Sequence, residues 1–238
     1  MAARVLLNRY KKNVNKLFSK CLKNYLRLGM ASSVLQSKLE AGLSELGINA
    51  SEDQIGKLMQ YLTLLEKWNK VYNLTAIRNP EEMLVKHLLD SLAVVPHITG
   101  QRIIDVGTGG GLPGIPLAIM YPDRQVDLLD SNSKKTRFLI QAKAELGLDN
   151  TVVIHNRVEK FKPAMPYESV ISRAFASMKD MLHWTDHLLA DNGVWWAMKA
   201  QQEFEDLSAL PGGVKVHELI ELEVPGLDAD RMLLKVVK

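Results

Sequence analysis

An α/β fold is predicted by the 238-residue sequence, with a mostly parallel, seven-stranded sheet, an antiparallel C-terminal hairpin and a preceding set of helices. Three observations carry the prediction. Up to Val95 the apolar residues recur at helical spacing. From Arg102 onward, short apolar runs alternate with helical stretches, the pattern of a parallel sheet covered on both faces. The last two apolar runs are separated only by Pro225-Gly-Leu-Asp-Ala-Asp230, a connection that suits an antiparallel pair.

The composition is 47% hydrophobic and 24% charged with 15 Gly and 9 Pro, which is globular and excludes the disordered, collagen-like and coiled-coil classes. A chain of this length removes roughly 70% of its unfolded surface from water, enough for one sizeable core. Cys21 is the single cysteine, so neither an internal disulfide nor a zinc knuckle can form, and a reducing cytoplasm is the expected location. No apolar run approaches the ~20 residues of a membrane span, and a monomer is expected.

Charge is unevenly placed. Residues 1–29 hold Arg4, Arg9, Lys11, Lys12, Lys16, Lys20, Lys23 and Arg27 and no acid, leaving a mildly acidic remainder with 22 basic residues against all 27 acids. Leu7, Val14, Leu17, Cys21, Tyr25 and Leu28 recur at helical spacing, giving a cationic amphipathic helix closed by Gly29. Four uses fit such a segment: an RNA-gripping arm, a membrane-surface helix, an organellar transit peptide, or translation upstream of a start at Met30. The chain therefore reads as a basic extension over 1–30, a helical region over 31–98 and a sheet domain over 99–238.

In the helical region, apolar positions run Leu35, Leu39, Leu43, Leu46, then Ile55, Leu58, Leu62, Leu65, Tyr72, then Leu84, His87, Leu88, Ser91, Val95. Ser51 and Gln54 make a capping-box pattern, Asn79-Pro80 followed by two glutamates starts the third helix, and Pro96 ends it. Strands are expected at 102–106, 125–130, 151–154, 168–172, 193–198, 214–224 and 231–237. Helices are expected at 115–120, 133–146 and 178–190.

The most informative stretch is Asp105-Val-Gly-Thr-Gly-Gly-Gly-Leu-Pro-Gly114, between the first strand and its helix. Glycines let backbone N–H groups approach a ligand at the carboxyl end of a parallel strand, where open α/β sheets bind their ligands. Read from Gly109 the stretch satisfies the dinucleotide pattern, with Asp130 placed to take ribose hydroxyls. Read from Asp105 it is the D-x-G-x-G-x-G loop of the Rossmann-like class I S-adenosylmethionine-dependent methyltransferases. A carboxylate at the strand end suits the ammonium of that donor and repels a pyrophosphate, and the hairpin tail favours the same reading. Gly107, Gly109 and Gly111 would then cradle the donor above Asp105. A ligand-free turn and a helix-capping Asp130 are the plain alternatives.

The side chains constrain the acceptor. Cytosine C5 methylation needs a cysteine, and Cys21 lies in the extension. Exocyclic amine methylation usually carries an Asn/Asp-Pro-Pro-aromatic motif after the fourth strand, where this chain has Ser172-Arg-Ala-Phe175. A ring nitrogen such as guanine N7 already offers a lone pair, so an arginine there is compatible and no general base is required.

Trp68-Asn-Lys-Val-Tyr-Asn-Leu-Thr75, His87-Leu-Leu-Asp-Ser91, the glycine loop through Ile115-Pro116, Leu129-Asp-Ser131 and Ile171-Ser-Arg-Ala-Phe-Ala-Ser177 closely resemble the bacterial RsmG family, formerly GidB. The resemblance runs from about Ser33 to the C-terminus. It implies N7 methylation of one guanine in 16S ribosomal RNA, position 527 in the usual rRNA numbering, with S-adenosylmethionine, on the 30S subunit or an assembly intermediate. Gly110 departs from the proline of many members, which loosens the loop without removing a ligand group. By the same resemblance Gly107 and Leu112 line the cofactor, Asp130 holds its ribose, Val158 and Glu159 border the adenine, and Arg173 stands beside cofactor and target base as the catalytic residue. Arg157, Lys199 and Arg231 resemble basic positions on the RNA side, with His87 facing the same cleft.

Other readings stay open at this level. Arg157 and Arg173 could pair with surface acids, His87 could be a hydrogen-bonded helix residue, and Trp195 and Trp196 could fill the core rather than stack on a base, a role Phe175 shares. Lys134, Lys135, Arg137 and Lys143 could grip phosphates or line a solvated helix face. His183 and His187 have metal-pair spacing, but Trp184 stands where a zinc protease has glutamate, and no metal is expected. Besides an RNA methyltransferase, the sequence admits a small-molecule methyltransferase using the same donor, a nicotinamide oxidoreductase and a non-catalytic rRNA-binding module.

Overall fold

The computed structural model describes residues 32–175, 177–200, 210 and 213–238. The basic extension expected over 1–30 lies outside the described residues. The chain divides into a unit ending at Leu39 and a larger one from Glu40 to Lys238. In the first, residues 32–39 are helical. The second is described below.

Seven strands form one sheet: β1 (Arg102–Val106), β2 (Gln125–Asp130), β3 (Val153–His155), β4 (Tyr167–Ser172), β5 (Leu189–Ala200), β6 (Lys215–Leu222) and β7 (Arg231–Val237), in the order β3-β2-β1-β4-β5-β7-β6. The first five are parallel, and β7 runs antiparallel between β5 and β6. Because the chain builds outward from β1 to β3 and then returns to β4, the order reverses between β1 and β4. That reversal opens a crevice at the carboxyl ends of the strands.

Helices fill the connections: α1 (32–45), α2 (Glu52–Tyr72), α3 (Pro80–Met83, Leu84–Leu89 and Asp90–Leu92), α4 (Gly114–Met120), α5 (Ser133–Leu146) and α6 (Met178–Thr185). The capping box at α2 is present: the Ser51 hydroxyl accepts from Gln54 N and the Gln54 side chain accepts from Ser51 N. Gln54 Nε2 also donates to the carbonyl oxygens of Ile119 and Met120, tying α2 to the end of α4. Asn79 caps α3 by accepting from Glu81 N at 2.8 Å, and Asn132 caps α5 by accepting from Lys134 N at 2.9 Å.

Three details depart from the sequence pattern. The middle of α3, Leu84–Leu89, is a π-helical segment, a widening that apolar spacing does not reveal. Helix α6 stops at Thr185, where a tight turn Asp186–Leu188 leads directly into β5. Strand β5 begins at Leu189 rather than Gly193: Tyr167 pairs with Leu189 and Ser169 with Val194, so the intervening residues bulge, which blurs strand periodicity.

The core on one face gathers Val170, Met178, Met181, Leu182, Trp195 and Val236. Trp195 and Trp196 are fully buried, and their indole N–H groups donate to Thr185 Oγ1 at 2.9 Å and Ser169 Oγ at 3.1 Å. Both tryptophans therefore fill the core, and neither presents a face to a base. The helix α4 start is equally tight: a Cβ on Gly114 would meet Leu128 Cδ2 at 2.2 Å. On exposed Gly56, inside α2, it would meet nothing within 4 Å.

These contrasting environments give a paired expectation. Gly114→Ala should destabilise the fold by at least about 2 kcal/mol through overpacking. Gly56→Ala should stabilise it by about 0.5–1 kcal/mol by lowering the backbone entropy lost in a helix. Urea unfolding of the two variants beside the parent chain checks both signs.

Candidate active site

The loop after β1 is held from below by Asp105. This residue is fully buried; its Oδ2 accepts from Thr108 Oγ1 at 2.6 Å and from Gly114 N at 2.8 Å, while Oδ1 has no hydrogen-bond partner among the described residues. The carboxylate therefore sits on the first amide of α4, where the positive end of the helix favours an anion. Asp105 Oδ2 thus braces the loop from within, and the residue lines neither lobe of the cavity described below.

The loop is braced on other sides too. Tyr61, from α2, donates to the Gly110 carbonyl at 2.6 Å. Gly107 has φ +72°, and a Cβ there would also meet the Ala174 Cβ at 2.8 Å, so the turn and the close approach both require glycine. Gly111 also has positive φ, +88°. A Cβ on it would meet Ile115 Cδ1 at 2.5 Å, so it packs the loop onto α4, and it lines neither lobe of the cavity.

At the crevice between β1 and β4 lies a cavity in two lobes that share Gly107, Lys135 and Ala174. One lobe, of about 210 Å³, brings together Gly107, Gly109, Leu112, His87 and Arg173 with Leu74 and Thr75. The other, of about 320 Å³, brings together Asp130, Arg157, Val158, Glu159 and Phe175. Most of the residues singled out in the sequence thus meet in one place.

Asp130, at the end of β2, is 6% exposed. It accepts from Gly109 N at 2.9 Å and Asn132 N at 2.8 Å, and Lys135 Nζ stands 3.8 Å from Oδ2. Each carboxylate oxygen keeps a lone pair for a ligand hydroxyl. Glycine cradle, hydroxyl-binding carboxylate, and Val158 and Phe175 walls make a donor set that fits an adenosine carrying a positively charged side arm. The unpartnered Asp105 Oδ1 beneath the loop adds negative potential of the matching sign.

In the smaller lobe, His87 Nδ1 lies 3.0 Å from the Lys86 carbonyl, so Nδ1 carries the proton and Nε2 accepts from Thr75 Oγ1 at 2.7 Å. The loop bearing Thr75 is stapled by Asn69, which accepts from Thr75 N and donates to the Ile77 carbonyl, both at 2.8 Å. Arg173 extends from the end of β4 and donates to Asp90 Oδ2 at 3.0 Å. Backbone order there comes from Ser172, whose hydroxyl donates to the Val106 carbonyl at 2.7 Å and accepts from Ala174 N.

Two basic residues expected on the RNA side have partners within the chain. Lys199 is buried and its Nζ donates to the Phe175 carbonyl at 2.7 Å. Arg231 Nε donates to Asp90 Oδ1 at 2.9 Å. Lys199 reaches the loop after β4 and Arg231 reaches α3; they lie close together because the end of β5 pairs with the start of antiparallel β7, Lys199 with Met232 and Ala200 with Arg231. Arg157 is different, with 71% of its side chain exposed. His183 packs edge-on against Trp184 and His187 bonds the Phe161 carbonyl, and among the described residues no cluster of three metal-ligating side chains occurs. Asp90 and Thr75 stand in the family motifs without an assigned role, and Lys135, read in the sequence as a phosphate grip or a solvated helix residue, lines both lobes. The i, i+3 spacing of His87 and Asp90, two polar groups on one apolar helix, is the signal that could have found the first.

Two buried groups titrate abnormally, in opposite senses. Burial raises the Asp105 carboxyl from 3.8 to about 6, against the pull of Thr108 and Gly114. Burial, then the Arg173 charge, lowers His87 from 6.5 to about 4. For Asp105 the folded pKa exceeds the unfolded one, so its stabilising contribution is complete below pH 4 and is lost as pH rises to about 6. For His87 it is lower, so its contribution is complete above pH 6.5 and is lost as pH falls to about 4. In the parent chain the two slopes oppose one another. Asp105→Asn removes one of them, and its unfolding free energy should rise by up to about 3 kcal/mol between pH 4 and 6.5, more steeply than the parent's, in urea titrations.

Comparison with known proteins assigns the fold and the family. A solved structure described as a SAM dependent methyltransferase from Aquifex aeolicus superposes with a TM-score of 0.51 at 16% identity, covering 73% of this chain and 98% of that one. The sequence profile of the GidB family, described as rRNA small subunit methyltransferase G, matches residues 54–234. Proteins named ribosomal RNA small subunit methyltransferase G are similar over most of the chain. That of Hydrogenovibrio crunogenus is 58% identical over 85% of this chain and 94% of its own length. That of Pseudomonas syringae pv. tomato is 53% identical over 83% and 93%. That of Shewanella baltica is 49% identical over 86% and 100%. The chain, with its class I methyltransferase sheet and glycine loop, belongs to the rRNA small subunit methyltransferase G family.

Proposed function

We propose that this protein transfers a methyl group from S-adenosylmethionine to N7 of a guanine in 16S ribosomal RNA, in the cytoplasm, on the 30S subunit or an assembly intermediate. The observation that carries the reading is the two-lobed cavity of a family member, with Asp130 in one lobe, Arg173 in the other and Gly107 between them. When bound, S-adenosylmethionine supplies an electrophilic methyl on a positively charged sulfur; the C–S bond breaks as the C–N bond to guanine N7 forms, leaving the sulfur neutral and the ring positive.

The chain's residues then have positional and electrostatic tasks. Asp130 accepts the ribose hydroxyls with its free lone pairs. Val158 and Phe175 enclose the adenine, and Gly107 and Gly109 allow the backbone to approach the methionine arm. No side chain has to take a proton, because N7 attacks with a lone pair and carries no hydrogen. His87 fits this economy: held neutral, it has its Nε2 occupied by Thr75. Arg173 identifies the base with a single hydrogen bond to guanine O6, since a bidentate grip on O6 and N7 would block the reacting atom. Reaching a loop guanine requires an unstacked base.

The direct test is transfer of tritiated methyl from S-adenosylmethionine onto 30S particles from a strain lacking the enzyme, followed by mapping of the modified nucleotide. Label at one guanine N7 in 16S RNA is expected; label on another base, or only on small molecules, contradicts the proposal. In calorimetry, Asp130→Ala should weaken S-adenosylhomocysteine binding about 10- to 100-fold through loss of charged hydrogen bonds.

A further inference from the structure

Asp90 is 2% exposed, and two guanidinium groups from distant parts of the chain close on it. Arg173 Nη1 lies 3.0 Å from Oδ2, and Arg231 Nε lies 2.9 Å from Oδ1. One carboxylate thus serves two cations. Their access differs: Arg173 lines the smaller lobe of the cavity, whereas Arg231 lines neither lobe and also donates to the Asp230 carbonyl at 3.0 Å.

We propose that Asp90 and Arg231 form a fixed seat from which Arg173 works, with Asp90 orienting the Arg173 guanidinium and Arg231 keeping Asp90 paired when Arg173 turns to the target base. Both are positioning residues, acting through Arg173 without touching the reacting atoms. The inference rests on the function proposed above and names residues for that same site.

The charge balance argues for it. A buried carboxylate that loses its only counter-ion is strongly penalised, so an isolated Asp90–Arg173 pair would resist any movement of Arg173 toward substrate. A second arginine on the other carboxylate oxygen removes that penalty. The surrounding groups do not compete: His87 is neutral with its ring nitrogens bonded to Thr75 and Lys86, and the Lys86 ammonium pairs with Glu82 at 3.2 Å. The backbone stays in place while the side chain moves. Ser172 holds Ala174 N, and Lys199 holds the Phe175 carbonyl, one on each side of the short loop.

Methyl-transfer kinetics on 30S particles with the full chain test the seat. Asp90→Asn should lower kcat about tenfold, while Asp90→Asn in an Arg173→Ala background should cost little more than Arg173→Ala alone, because coupled residues are not additive. Equal losses in both backgrounds would show a purely structural Asp90 and overturn the proposal. Arg231→Gln should lower kcat with KM for the particle nearly unchanged, and Arg231→Lys should recover part of the loss. A raised KM for the particle at unchanged kcat would instead return Arg231 to RNA contact. If Asp90→Asn does not fold, the two Arg231 variants carry the test. Turnover by the parent chain judges the functional reading separately. Side-chain NMR needs no turnover: an ordered Arg231 Nε–H signal is expected and should be lost in Asp90→Asn, whereas a signal unchanged by that substitution refutes the seat.

Discussion

The bond between the Asp105 carboxylate and the first amide of α4 sets the rest of the site. With Thr108 on the same oxygen, it ties both ends of the glycine loop to the end of β1. Tyr61 then fixes the loop's middle from α2, and Gly107 lets Ala174 close over it from β4. The consequence is electrostatic as well as geometric. In a dinucleotide-binding fold the corresponding helix start receives a pyrophosphate, drawn by free amides and the helix dipole. Here a buried carboxylate already occupies that end of α4, so the crevice favours a ligand carrying positive charge. Asp105 acts from beneath the loop rather than as a wall of the pocket.

A second theme is that positive charge near the crevice is turned inward. Lys199 and Arg231, both basic and both at strand ends, secure the loop after β4 through Phe175 and Asp90. Arg173 is thereby fixed at its backbone and balanced at its side chain, which is what a residue needs if it is to align a base rather than transfer a proton. Arg157, Lys134 and Arg137, by contrast, stay exposed and leave positive charge at the surface. The body beyond the first 29 residues is mildly acidic, with 22 basic residues against 27 acids.

Much of this was legible in the sequence where one local rule dominates. Strands β1, β2 and β7 and helix α5 fall at the expected residues because apolar runs and caps mark them without ambiguity. Gly107, Asp130, Val158 and Arg173 could be placed together because each ends or follows a parallel strand, and parallel strands deliver their ends to one crevice. What escaped depended on long-range packing. The π-helical turn in α3, the bulge that starts β5 early and the burial of Lys199 have no periodic signature. Asp90 meets Arg231 across 141 positions, a pairing that spacing cannot show.

The central claim, that the cradle above Asp105 accepts a cationic methyl donor and not a diphosphate, is tested most directly by calorimetric titration of the full chain with S-adenosylmethionine and, separately, with NAD. The account predicts saturable one-site binding of S-adenosylmethionine and no detectable heat of binding with NAD. Saturable binding of NAD together with indifference to S-adenosylmethionine would contradict it.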